Sequence, residues 1–192
     1  MPIAINGSGT VTGVSVGGLP DGIVDTDMIA AAAVTAPKRG AGAILQTINA
    51  TVSSQVETND GSVVDTGLTA DITLIASNSK VLIFVSQQLM THQYNNTGES
   101  NAALILTRVT SGSSTNINNA SAHLTSARTS GEGNGSWFVR TGHIASIVAE
   151  DTPGAGTHTY KTRFKHASRS GTASRTGDGS HQAEIILMEV SV

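Results

Sequence analysis

No cysteine occurs anywhere in the 192 residues, which removes disulfides, thiolate metal sites and cysteine nucleophiles together. Aromatic residues are nearly as scarce: one Trp, two Tyr and three Phe leave few rings for a core and fewer for stacking on sugars. Charged residues make up only 13%, so the polar surface has to come from hydroxyls and amides. The formal net charge of −3 excludes the whole-chain basic field that drives non-specific nucleic-acid binding. No stretch approaches the roughly 18 consecutive apolar residues of a membrane span. The opening MPIAINGSGT has neither the basic nor the apolar region of an export signal. The expectation is therefore a chain made in the cytosol, without membrane insertion. Sequons at Asn6, Asn49, Asn95, Asn119 and Asn134 are what chance gives in an Asn/Ser/Thr-rich chain.

What the chain does have begins with a leader. Residues 15–39, SVGGLPDGIVDTDMIAAAAVTAPKR, are too poor in bulky apolar side chains to build a core, yet patterned. Val24 and Val34 stand ten residues apart, followed by Asp25-Thr26 and by Thr35-Ala36, like two weak copies of one turn-and-rung unit. A thread with one apolar residue per rung cannot bury it alone and gains stability only when copies stack or wrap around each other. Leu19-Pro20-Asp21-Gly22 supplies turn chemistry, and the Ala-rich Thr26 to Ala33 permits a short helix capped by Asp25. The division expected is an extended anchor or stem over 1–40 and a head over 41–192. A head of about 150 residues can bury roughly 70% of its unfolded surface, enough for a core without staples.

After Gly42 the apolar residues fall in short runs separated by Gly, Ser and Asn, the spacing of many short strands. Strands are expected at Ala43–Ile48, Thr51–Glu57, Asp71–Ala76, Lys80–His92, Ala102–Val109, Trp137–Val139, His143–Glu150, Thr157–His166 and Gln182–Val192. In Lys80–His92 both alternating rows start apolar (Val81, Ile83, Val85 against Leu82, Phe84), which predicts a central strand covered on both sides. Ending on Val190 and Val192 ties the C-terminus into a sheet. Thr110–Ser136 and Ala167–Ser180 read as long polar excursions. Nine strands without helical periodicity predict an all-β fold, an antiparallel jelly-roll sandwich.

SVGGLPDGIVDTDMIAAAAVTAPKRGAGAILQ, NSKVLIFVS (78–86), EDTPGAGTHTYKTRF (150–164) and AEIILMEVSV (183–192) together resemble bacteriophage tail-fibre and virion-appendage proteins, particularly of marine and cyanobacterial phages. In that family a Gly-Leu-Pro-Asp-Gly leader precedes a head similar to the tumour-necrosis-factor and complement-head jelly rolls. The resemblance implies a homotrimer mounted on the virion, with three leaders joined in a stem. Leu19, Pro20, Asp21, Val24 and Val34 would then anchor it to other virion proteins of the tail or capsid. The chain is short, with one leader unit and no long shaft, so a stubby spike or capsid-decorating knob fits its length as well as a fibre tip does.

Chemistry is sparse. His92, His123, His143, His158, His166 and His181 show no metal-ligand spacing, and the carboxylate pairs Asp25/Asp27 and Glu150/Asp151 suit turns and strand exits. No Gly-x-Ser-x-Gly elbow occurs, and Gly131-x-Gly133-x-Gly135 lacks the strand and helix of a nucleotide fingerprint. No cofactor, no metal and no catalytic residue is expected. One charge pattern stands out: Lys161, Arg163 and Lys165 alternate with Tyr160, Thr162 and Phe164, so a strand would put three cations on one face. Tripled in a trimer, that face would suit an anionic host polysaccharide or capsid surface, although a solvated face that blocks edge association explains it more simply. Tyr94, in a polar loop-like stretch, is the candidate aromatic contact for a host glycan. The expected function is a structural, host-attaching virion protein. Competing readings are a capsid-decorating trimer, a polysaccharide-degrading tail spike, which would need two carboxylates across a cleft, and a secreted lectin-like module.

Overall fold

The computed structural model describes residues 34–35, 38–58, 61–94, 102–120, 138–166, 172–176 and 181–192; side chains at 92–94, 119–120, 138–141 and 172–175 are outside the description. The chain divides into two units, Met1–Arg39 and Gly40–Val192. Of the leader, Val34 is exposed; Leu19, Pro20, Asp21 and Val24, the helix considered at Thr26–Ala33, and Asp25 and Asp27 lie outside the described residues.

The second unit is built of β-strands, with no α-helix among the described residues: β1 (Ile44–Val52), β2 (Glu57–Thr58), β3 (Val64–Thr73), β4 (Lys80–Tyr94), β5 (Ala102–Thr110), β6 (Ser113–Ala120), β7 (Phe138–Asp151), β8 (Thr157–His166), β9 (Thr172–Thr176) and β10 (Ala183–Val190). Period-2 patterning explains most of them. In β10, AEIILMEV buries Ala183, Ile185, Leu187 and Glu189 and turns Glu184, Ile186, Met188 and Val190 outward, as a pleated strand on a core must.

Every strand pairing is antiparallel. One sheet runs β1-β10-β4, with β7 on the other side of β4 and β9 and β2 continuing from β4's far half; the second runs β3-β8-β5-β6. Leu68 and Ile72 of β3, Ile83 and Val85 of β4, Leu104 and Leu106 of β5, Tyr160 and Phe164 of β8, and Ile185 and Leu187 of β10 form one buried cluster between the two sheets. The all-β, antiparallel reading is thus what the chain adopts. The C-terminus is tied down as expected: Ser191 N–H donates to the Ala43 carbonyl and its hydroxyl to the Gly40 carbonyl.

Several boundaries differ from the sequence reading. The two runs around Asn49 are one strand, β1, and those either side of Arg140 are one long strand, β7. The first polar excursion contains β6. Ser111 (φ 49°) and Gly112 (φ 81°) make a two-residue hairpin with both centres left-handed, and Thr110 pairs with Ser113. β6 is an edge strand held to β5 by its backbone, so only Ile117 needs to meet the core. The second excursion contains β9, equally polar, paired to β4. The larger correction concerns β4. It is central, but covered on one side only: Val81, Ile83 and Val85 are buried while Phe84 on the other face is 38% exposed.

Candidate functional site

Two outward faces carry the residues of interest. On the first, register places Val148, Phe84, Ile186 and Asn49 in one row across β7, β4, β10 and β1, with Glu150, Leu82, Met188 and Thr47 in the next and Ser146, Ser86, Glu184 and Thr51 in the one after. Val148 is 68% and Ile144 63% exposed, while Leu82, Ile186 and Met188 are half-buried. The result is an apolar strip rimmed by hydroxyls, amides and the Lys80–Glu150 ion pair at 2.7 Å. A monomer rarely leaves such a contiguous strip to water.

The second outward face belongs to β3 and β8. Burial alternates along β8, so Lys161, Arg163 and Lys165 do share a face, opposite Tyr160, Thr162 and Phe164. The neighbouring strand changes its electrostatics. Asp65 of β3 lies between two of the cations, 2.8 Å from Lys161 Nζ and 2.9 Å from Arg163 Nε, and part of the stripe is neutralised. Sequence spacing on β8 could not show this, because Asp65 is 96 residues away from Lys161. Tyr94 closes β4, opposite Phe138; the side chains of Tyr94, Trp137 and Phe138 are outside the described residues.

Beside Asp65 the β3–β8 register slips. Asp65 faces Arg163 but Thr69 faces Lys161, so β3 carries two extra residues. Gly67, at φ 87°, takes a left-handed turn that glycine accepts without strain. Thr66 and Leu68 turn inward and Gly67 outward, leaving one side chain missing from the outer row. A hydrogen-bond relay fixes this bulge from inside. Leu68 N–H donates to Thr66 Oγ1 (3.1 Å), and the Thr66 and Thr162 hydroxyls meet at 2.5 Å. Thr162 Oγ1 in turn donates to Gln87 Oε1 on the opposite sheet (2.7 Å). All three side chains are buried, so the relay is a polar crossbar through an apolar core, costly to leave half-made. Over the bulge lies a hollow of about 350 Å³.

Two further polar clusters serve structure. Asp151 Oδ2 accepts from Arg108 Nη1 (2.6 Å) and from the Tyr160 hydroxyl (2.8 Å). Burial, then the hydrogen bond to Asp151, pushes the Tyr160 hydroxyl far above its ordinary pKa; it stays a neutral donor. Glu189 reaches the β3–β4 turn and accepts from the backbone N–H of Ile75 and Ala76 and from the Gln46 amide. Burial pulls its pKa up, but the N–H of Ala76, the Gln46 amide and the N–H of Ile75 outweigh that and hold it below the usual range. Buried His158 has both ring nitrogens hydrogen-bonded, Nε2 with the Gly154 carbonyl (3.1 Å) and Nδ1 with the Thr110 hydroxyl (2.8 Å). Among the described residues no three His, Asp or Glu side chains are grouped to hold a metal ion. No protein family and no curated protein sequence matches the chain.

Proposed function

We propose that this chain is a structural, non-enzymatic bacteriophage virion protein. It is a homotrimeric tail-fibre or spike knob held to other virion proteins by its N-terminal leader (Leu19, Pro20, Asp21, Val24, Val34) and turned toward the host surface. The observation that carries the reading is the uncovered apolar strip of Val148, Phe84, Ile186, Leu82 and Met188, with exposed Ile144 beyond a polar row. It supports association through the same sheet face in every copy, which a closed threefold ring repeats three times. Fully burying a Val, Ile or Phe side chain contributes about 1.5–3 kcal/mol; with Phe84, Val148 and Ile144 more than a third exposed, several kcal/mol per subunit stand available against the entropy of association. The strand order β1-β10-β4-β7 over β3-β8-β5-β6 supports a jelly roll, and the leader's single apolar residue per rung supports threads that are stable only when shared.

Light scattering on the full chain tests this directly. The expected mass is three chains. Phe84→Asp with Val148→Asp, directly opposite each other on β4 and β7, lowers it to one chain while unfolding stays cooperative. A wild-type mass of one chain at micromolar concentration refutes the trimer, and turnover of a host polysaccharide by the purified protein refutes the passive role.

A further inference from the structure

From the geometry of the β3 bulge we infer that the hollow over Gly67 is a binding site for one neutral hexopyranose, held by a vicinal diol. The inference deepens the reading of the head as a host-facing surface and rests on it for its biological ligand.

The hollow exists because of backbone, not loops. Two extra residues in β3 shift its register against β8 beside Asp65, and Gly67, at φ 87°, forms part of the hollow with its backbone. It is lined by Asp65, Gly67 and Thr69 of β3, Thr159 and Lys161 of β8, and Val109 of β5, with the buried Thr162 behind them. The relay from Leu68 N–H to Gln87 fixes the bulge before any ligand arrives, so little ordering is left to binding. At about 350 Å³ it lies at the small end of ligand sites, which run from about 300 to 1,000 Å³. One sugar ring fits that scale; an extended oligosaccharide does not.

The lining chooses the chemistry. Lys161 Nζ and Asp65 Oδ2 are held 2.8 Å apart, a cationic donor beside an anionic acceptor at one hydrogen-bond length. Neighbouring hydroxyls of a pyranose are spaced by a similar distance and each both donates and accepts, so one can give its proton to Asp65 while the other accepts from Lys161. Thr69 adds a hydroxyl, and Val109 offers an apolar wall to the C–H face of the ring. The Thr159 hydroxyl already donates to Asp71 (2.5 Å), which leaves its oxygen as an acceptor toward the hollow. A carboxylate sugar would meet Lys161 and Arg163 already paired to Asp65 and would be repelled by Asp65 and Asp71. The neutralised stripe therefore favours an uncharged sugar over the polyanion that Lys161, Arg163 and Lys165 suggest in sequence. No ring lines the hollow, so single-site affinity is weak, on the order of 1 mM, and repeated copies supply avidity.

The test is amide chemical-shift titration of the full chain with methyl α-glucopyranoside, with tetrahydropyran as the ring without hydroxyls, and with glucuronate as the anionic probe. Expected are saturable shifts at Gly67, Thr69 and Lys161 with the glucoside, none with tetrahydropyran, and no tighter binding of glucuronate. Asp65→Asn, an exposed change that keeps the fold, and Thr69→Tyr, which fills the hollow, each weaken the glucoside about tenfold. Absence of saturable shifts, equal shifts with tetrahydropyran, unchanged binding by Thr69→Tyr, or glucuronate binding tenfold tighter overturns the site. Light scattering on the same samples separates the two claims: a trimer that ignores the glucoside removes only the sugar site, and a monomer that binds it removes only the trimer.

Discussion

Glu189 gives the sharpest test of how the sandwich is closed at the β3–β4 turn. Its carboxylate has no exposed surface, receives the N–H of Ile75 at 2.9 and 3.0 Å and of Ala76 at 3.0 Å, and holds the Gln46 amide at 2.6 Å. Truncation to Ala strands two backbone donors, while the Gln46 amide keeps the Thr73 carbonyl. At about 1–3 kcal/mol for each buried group left without a partner, with some relaxation at this chain-reversing turn, Glu189→Ala loses about 3–5 kcal/mol. Glu189→Gln keeps one acceptor oxygen and its shape, and loses about 1–2 kcal/mol. The pH arm isolates the charge. The folded pKa lies below the ordinary 4.5, so the stability from this ionisation is fully present above pH 4.5 and is lost as pH falls through the folded value. Urea unfolding at matched protein concentration, at neutral pH and at steps below pH 4.5, reads both. The wild type is expected to lose stability across the acid steps more steeply than Glu189→Gln. Parallel acid profiles for the two proteins, or a Glu189→Ala loss below 1 kcal/mol, would refute the reasoning.

The remaining predictions concern the core relay, the Asp151 cluster and the bulge. Thr162→Val removes the donor to Gln87 Oε1 and the Thr66–Thr162 hydroxyl bond, while Thr66 Oγ1 keeps the Leu68 N–H and the Thr162 carbonyl; it is expected to lose about 1–3 kcal/mol in denaturant unfolding. Adding Gln87→Leu, with Thr66 kept as the acceptor of the Leu68 N–H, should recover most of that loss, and additive losses at the two sites would contradict the relay. Arg108→Ala leaves Asp151 partly buried beside a single donor and should lose about 2–4 kcal/mol. Tyr160→Phe loses about 1–2 kcal/mol; calorimetry that ranks Tyr160→Phe above Arg108→Ala would reverse the assignment. Gly67→Ala sits at φ 87° and should lose about 1 kcal/mol from the left-handed backbone alone, seen as a lower urea midpoint with unchanged slope.

Much of the sandwich was legible because its strands are amphipathic. Thr157–His166 was placed to the residue, since HTYKTRFKH alternates inward and outward without interruption. Strands without apolar alternation were not: β6 and β9 consist of Ser, Thr, Asn and other small residues and exist because β5 and β4 offer backbone partners. A local signal for β6 was present in Ser111-Gly112, a dipeptide that suits a two-residue hairpin, although the polar run after it resembles a loop. Val64–Thr73 was seen only at its end: burial alternates strictly along it, but its inward row opens with the polar Thr66 and Gly67 reads as a turn signal.

The all-β class and the inward and outward rows of β4, β8 and β10 were readable from the sequence, since these depend on side-chain periodicity within one strand, and antiparallel pairing from the lack of helical crossovers between strands. Whatever depends on distance between strands was settled by the packed fold. Asp65 answers Lys161 and Arg163, Glu189 holds the Ile75–Ala76 turn, and Gln87 reaches Thr162 across the core. The second apolar row of β4 stays uncovered in one chain. Residues far apart in the chain meet in a sheet through register, and register is set by bulges and hairpins summed over the whole fold, not by any single segment.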